Sequence, residues 1–387
     1  MRWLALAVAL CTVWIAVWIV LPPPNYFLLR FAVGAPELSV WLVVASIVGL
    51  VLAIPQLATS NSARFAIAAC IVTIALAAGV LLRVRATAKG FDEATRALSA
   101  EPAVPLRRQR LSVVDLFRGI PIGKAKITRG IVFAAPDGQR LTIDAYQPES
   151  GGIRPIVVQI YGGAWRNGAP GDFAKFARWL AGGGYVVFSI DYRHSPRWRW
   201  PAHLDDVNSA LAWIAVHGSE YGGDTSRVVL LGRSAGAHLA LLAAYRPSPL
   251  TVRGVVGFYA PVDLADAYRN PPRPDPLGIR DVERAFIGGP PDRMPEAYAA
   301  ASPISYAKAR VPPTLLIFGG RDNIVEPRYG RRLRDTLSSS GNQVAYLEIP
   351  WAEHAFDEVF NGPSSQLALF YAERFIAAVT RRTTRHR

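Results

Sequence analysis

Three uncharged apolar stretches, residues 3–21, 38–54 and 65–82, stand in quick succession at the front of the chain. Each approaches the ~20 residues that a helix needs to cross the hydrocarbon core of a bilayer. A backbone in lipid must satisfy its own hydrogen bonds, so stretches of this kind are held to helices. Pro22, Pro23 and Pro24, then Pro36, then a polar turn at 59–62 separate them. Trp3, Trp14, Trp18, Tyr26 and Trp41 supply interfacial anchors. A cleaved signal peptide competes as a reading of the first stretch. Its basic region is Arg2 alone, however, and no small-x-small site precedes the triple proline. The expectation is a membrane segment over residues 1–83, a bundle of about three transmembrane helices.

Composition follows from this front. Hydrophobic residues make up 51% of the 387 and charged residues 19%, and the apolar excess sits mostly before residue 85. The net charge of +14 suits anionic lipid headgroups or nucleic acid. The basic residues fall in short groups, Arg107-Arg108 with Arg110, Arg331-Arg332 with Arg334, and a tail over 381–387. No recognition-helix or RNA-binding signature surrounds them, so the expected partner is the bilayer and not nucleic acid. Arg30, Arg83, Arg85, Lys89 and Arg96 would share one side of the membrane, Arg2 and Arg64 the other. The positive-inside bias then favours a cytoplasmic C-terminal domain on a multi-pass protein. Cys11 and Cys70 both lie in apolar runs, which leaves no disulfide framework and no cysteine metal cluster; no metal and no cofactor is expected.

Residues 84–125 read as a linker, charged at first and then rich in proline and arginine. From about residue 126 to 380 the rhythm changes. Residues 127–133 and 141–146 flank Pro136-Asp137-Gly138 as a hairpin would. Short apolar runs follow at 156–160, 185–190, 228–231, 252–258, 315–318 and 344–349. They are near-continuous rather than alternating, as in strands buried on both faces of a parallel sheet. Helical stretches at 173–181, 204–217, 235–245, 329–337 and 366–379 alternate with them. Strand alternating with helix predicts an α/β domain with a mostly parallel sheet flanked by helices. Residues 262–312 break the rhythm with prolines and charged turns, and read as an insertion able to roof a site.

Gly232-Arg233-Ser234-Ala235-Gly236 fits G-x-S-x-G. The pattern is common enough by chance to be weak alone. Here it follows the strand at 228–231 and opens the helix at 235–245, the strand–turn–helix setting that exposes a nucleophilic serine. Tyr161-Gly162-Gly163-Ala164-Trp165 follows the strand at 156–160. Its backbone N–H groups, with that of Ala235, would make an oxyanion hole, each donor often worth about 10²–10³ in rate. A base and an orienting acid are then required downstream, acid before histidine. His354 follows the strand at 344–349, whereas His386 sits in the basic tail and His238 lies one helical turn beyond Ser234, where packing is its natural role. Asp322 follows the strand at 315–318; Asp263 and Asp357 are rival acids.

Taken together, YGGAW, DYRHSP, GRSAGAHLA, GGRDNIVEP and AEHAF, in this order and spacing, resemble bacterial α/β-hydrolase esterases. The nearest groups are the hormone-sensitive-lipase-like esterases and the related acyl-esterase, feruloyl-esterase and kynurenine-formamidase-like enzymes. The resemblance covers residues 126–380 and leaves the membrane segment outside. It implies Ser234, Asp322 and His354 as the triad, Gly163, Ala164 and Ala235 as oxyanion donors, and Tyr161, Gly162, Gly232 and Gly236 in support. It also implies carboxylic-ester hydrolysis; with the apolar front as anchor, the expected substrate is a short- to medium-chain acyl ester or a lipid-derived one, small molecule or lipid, at a bacterial cell membrane. Asp191-Tyr192-Arg193 resembles a structural motif near the family's site. Tyr161 stands where the family usually has histidine. Amide, formamide or peptide hydrolysis by the same triad is the alternative, as is a prenylcysteine-methylesterase-like activity; a non-enzymatic membrane scaffold is the third reading.

Overall fold

The computed structural model describes residues 2–381. Its centre is one eight-stranded sheet in the order β1-β2-β4-β3-β5-β6-β7-β8. The strands are β1 (Ala125–Ala134), β2 (Leu141–Pro148), β3 (Arg154–Ile160), β4 (Val186–Ile190), β5 (Gly223–Arg233), β6 (Val252–Phe258), β7 (Thr314–Gly319) and β8 (Val344–Ile349). The first two form the hairpin, β2 runs antiparallel to β4, and every later pairing is parallel. Val157, Phe188, Leu230, Val256 and Leu316 are fully buried at its middle. Each such burial is worth about 1.5–3 kcal/mol, which accounts for the continuous apolar runs in the sequence.

Thirteen α-helices surround the sheet and precede it among the described residues. The first four lie in the apolar front: α1 (Arg2–Ala16), α2 (Tyr26–Glu37), α3 (Ser39–Ala53) and α4 (Asn61–Thr95). Then come α5 (Val113–Arg118), α6 (Ala174–Gly182), α7 (Ala202–His217) and α8 (Ala235–Tyr245). The insertion carries α9 (Leu264–Arg269), α10 (Ile279–Ile287) and α11 (Pro295–Ala300), so it is a small helical layer over the sheet rather than a loop. Last are α12 (Pro327–Ser339) and α13 (Pro363–Val379).

The front departs from the expected three equal spans. Two helical segments, Ser39–Gln56 and Asn61–Leu98, are long and apolar enough to cross a membrane, while Trp3–Ile19 is shorter. The prolines at 22–24 and 36 read as plain breakers, yet α2 forms between them. Asn25 caps it by accepting from the Leu28 N–H at 3.0 Å, and Pro36 falls in its last turn, so it interrupts the ladder only at the helix's end. The charged first part of the stretch 84–125, which the sequence also allows to be helical, is helix. Helix α4 continues through Arg83 without a break for 35 residues, about 50 Å, because surface charge leaves the lipid-like pattern but does not stop a helix.

Beyond α4 the chain is tied to α13. Tyr371 Oη lies 2.8 Å from both the Ala88 carbonyl and Asp92, the Leu106 N–H donates to Glu373 at 2.6 Å, and Arg374 pairs with Glu101 at 3.0 Å. Buried Arg107 pairs with Asp115 at 3.2 Å and donates to Gln366. At the end of α2, Glu37 accepts from the Ser364 N–H at 3.0 Å. The apolar front and the sheet domain therefore share one packed interface. Residues 382–387 of the basic tail, with His386, lie outside the described residues.

Candidate active site

The C-terminal ends of β3, β5, β7 and β8 converge, and each delivers one part of the site. Strand β5 ends at Arg233, and Ser234 follows with φ 50° and ψ −122°, a conformation costing of the order of 1–3 kcal/mol. The strain is held from both sides: the Ser234 N–H donates to the Phe258 carbonyl at 3.0 Å, and the Ser234 carbonyl accepts from His238 N–H at 3.0 Å. Helix α8 starts immediately behind. Its Gly236 touches the end of β3 so closely that a Cβ there would sit 2.2 Å from the Tyr161 carbonyl oxygen. Only glycine permits that approach, and the approach sets the serine's height above the sheet.

Ser234 Oγ lies 3.0 Å from His354 Nε2, and His354 Nδ1 lies 2.8 Å from Asp322. Both partners are buried, at 6% and 3% exposure. The other Asp322 oxygen accepts from Ile324 and Val325 N–H at 2.8 and 2.7 Å, so the carboxylate is aimed by its own loop. The rivals are engaged elsewhere. Asp263 caps α9 and pairs with Arg332 at 2.8 Å; Asp357 pairs with buried Arg233 and accepts from Tyr259 Oη. His238 takes a hydrogen bond from Trp165 Nε1 at 3.2 Å on Nδ1 and lies 2.6 Å from the Ala301 carbonyl on Nε2. Burial lowers its pKa to about 4, which suits a neutral packing histidine.

The glycine loop turns above Ser234 with positive φ at Gly163 (121°), Ala164 (54°) and Trp165 (58°). The Gly163 and Ala164 N–H groups have no acceptor among the described residues. Ala235 opens α8, where the first N–H groups have no intrahelical acceptor. Three donors thus stand beside Ser234 at the positive end of a helix dipole. At Gly163 a Cβ would meet the Asn167 carbonyl oxygen at 2.1 Å, so the turn admits no side chain there. Tyr161 braces the loop. Its hydroxyl donates to Asp191 at 2.6 Å and lies 2.9 Å from His194 Nε2, and its ring stacks on Tyr192 at 4.5 Å. Burial, then the neighbouring Tyr192 and Asp191, push its pKa up, so the hydroxyl stays protonated. Arg193 reaches away to Asp206 at 2.8 Å and Asp137 at 2.6 Å.

Two further residues, Glu353 and Tyr259, stand against His354 without having been assigned a role from the sequence. Glu353, beside His354, accepts from the Asn323 and His354 N–H groups at 2.6 and 2.9 Å and is pushed up in pKa by burial and by Asp322. The Tyr259 ring lies 4.4 Å from the His354 ring. The cleft around Ser234 has two arms. A narrow one, about 40 Å³, runs under the insertion between Trp165, Pro261, Leu277, Ile279, Val282 and Tyr329. A wide one, about 790 Å³, contains His354 and is walled on one side by Tyr26, Leu29, Arg30, Val33 and Gly34 of α2. Among the described residues no cluster of His, Cys, Asp or Glu could hold a metal.

Comparison with known proteins adds to this geometry. The BD-FAE family model matches residues 143–337. The chain is 35% identical over 244 residues to the probable carboxylic ester hydrolase LipM of Mycobacterium tuberculosis, across 59% of this chain and 55% of that one. It is 36% identical over 221 residues to esterase LipC of the same organism, across 52% and 53%. The chain thus spans about half the length of the curated relatives it matches. A bacterial heroin esterase superposes with a TM-score of 0.58 over 67% of this chain and 84% of its own; at 22% identity it shows the α/β-hydrolase fold.

Proposed function

The chain belongs to the BD-FAE family, and from that premise we propose that it is a membrane-anchored serine carboxylesterase. One observation carries the reading: a strained serine in hydrogen-bond contact with a histidine that a buried, doubly braced carboxylate orients. His354 takes the Ser234 hydroxyl proton as Oγ attacks the ester carbonyl. The oxygen that gains charge turns toward the N–H groups of Gly163, Ala164 and Ala235. Asp322 holds the imidazole tautomer and stabilises the imidazolium. His354 then protonates the leaving alcohol, and water, activated by the same base, releases the acid from Ser234. The likeness to enzymes named as ester hydrolases supports esters over amides.

The anchor is α1, α3 and the apolar part of α4, a three-span bundle with the catalytic domain on the cytoplasmic side. Ile47, Val48 and Val51 are 50–65% exposed, and only 28% and 33% of the most apolar windows of the two long segments are buried. Core helices of a water-soluble domain would hide these faces; a bilayer covers them.

The test uses the full chain in detergent micelles with p-nitrophenyl acetate and its matched anilide. Ester turnover that exceeds anilide turnover and falls by about 10³ or more in Ser234→Ala is the expected result. Undiminished turnover in that variant would remove Ser234 from the reaction, and faster anilide cleavage would make the chain an amidase.

A further inference from the structure

We infer that the substrate is a short-chain acyl ester of a large amphiphilic alcohol, and that helix α2 of the apolar front is the wall that selects the alcohol. The inference rests on the esterase reading and names the two sides of its ester.

Hydrolysis breaks the acyl carbon–oxygen bond, forms the Ser234 Oγ–carbon bond and passes the serine proton through His354 to the departing alkoxide oxygen. That oxygen must come within about 2.6–3.2 Å of Nε2. The alcohol therefore occupies the arm of the cleft that contains His354. Only the wide arm does; the narrow arm meets Ser234, Ala164 and Ala235 but not His354. The acyl group is left with the narrow arm. Its 40 Å³ holds roughly three water-sized volumes, enough for an acyl chain of about two to four carbons. The alcohol arm, at 790 Å³, is the size of a cleft for a drug-sized ligand.

The wall of the alcohol arm indicates what kind of molecule fits. Leu29, Val33 and Gly34 present apolar surface, Tyr26 lies one turn before Leu29, and Arg30 stands between Leu29 and Val33 one turn before Gly34. Arg30 makes no ion pair among the described residues. A wall that sets a cation and a phenol among apolar side chains matches an amphiphile. Helix α2 connects α1 directly to α3, so this wall lies where a lipid-borne alcohol would arrive from the bilayer boundary.

Two isomers separate the sides of the ester without changing composition: hexadecyl acetate puts the long chain on the alcohol, ethyl palmitate on the acid. With the full chain in detergent micelles, kcat/KM for hexadecyl acetate should exceed that for ethyl palmitate by about 100-fold or more. Gly34 supplies the second arm. A Cβ there meets nothing within 4 Å, so Gly34→Trp projects a ring into the alcohol arm without a clash at its base. The ratio of hexadecyl acetate to ethyl acetate turnover should fall about tenfold or more in that variant. Labelling of its Ser234 by a fluorophosphonate reports that the variant is folded. Equal or reversed use of the two isomers, or an unchanged ratio in labelled Gly34→Trp, overturns the proposal. Refusal of ethyl acetate together with an unreactive Ser234 in the wild type is a different failure, that of the esterase reading, and the proposal falls with it.

Discussion

Glu37 makes the seating of α2 sensitive to pH. The residue is 2% exposed and one of its oxygens accepts from the Ser364 N–H at 3.0 Å; its second oxygen is buried. Burial pushes its pKa from 4.5 up to about 8, against the opposing pull of the Ser364 hydrogen bonds. A carboxyl whose folded pKa is raised holds its proton in the docked state after the undocked state has lost it. Docking is therefore strongest below about pH 4.5 and weakens as pH rises toward about 8. The span of about 3.5 pH units is worth on the order of 5 kcal/mol, at about 1.36 kcal/mol per unit, or roughly three decades in the opening equilibrium. Hydrogen exchange of the α2 amides, corrected for the intrinsic pH dependence, measures that equilibrium. Protection should fall between pH 5 and 8 by up to about three decades, and Glu37→Gln, which keeps the shape and cannot ionise, should flatten the profile. A flat profile in the wild type, or the same slope in Glu37→Gln, would mean that Glu37 does not govern the seating of α2.

Two further substitutions probe the site's supports. Gly236→Ala forces a Cβ to within 2.2 Å of the Tyr161 carbonyl oxygen and 2.3 Å of the Ile160 carbonyl oxygen. The strand end must move, so thermal unfolding should show a loss of about 3 kcal/mol or more; a wild-type midpoint would mean that the contact is not rigid. Tyr161→Phe keeps the ring on Tyr192 but removes the hydroxyl shared by Asp191 and His194. Its kcat should drop about tenfold with a smaller change in KM, because a looser oxyanion loop weakens the transition state more than binding. An unchanged kcat would leave the hydroxyl a packing role only.

The sheet domain was readable because its physics is local. A strand buried on both faces has to be continuously apolar, and a serine lifted between a strand and a helix has to be flanked by small residues. Residues 228–245 carry both signals side by side, and the helix at 235–245 appears at the expected bounds. What stayed hidden depends on partners far away in the chain. Nothing near Arg107 announces Gln366, and nothing near Glu37 announces Ser364. The same holds for α2 as a wall of the cleft. Its prolines read as breaks between spans, and its contact with the site exists only once the front has folded back onto β8 and α13. The charged stretch 83–96 admits a helix in the sequence, and α4 carries on through it to Thr95, since the charges at Arg83 and Arg85 mark the end of lipid-like sequence rather than of helix.

The central claim is that Ser234 is a nucleophile activated by His354. A fluorophosphonate probe on the full chain, followed by peptide mass mapping, tests it most directly. One adduct is expected, on Ser234, formed in the wild type and slowed by about 10³ or more in His354→Ala, where the serine remains but its base is gone. An adduct elsewhere, no adduct at all, or wild-type labelling in His354→Ala would contradict it.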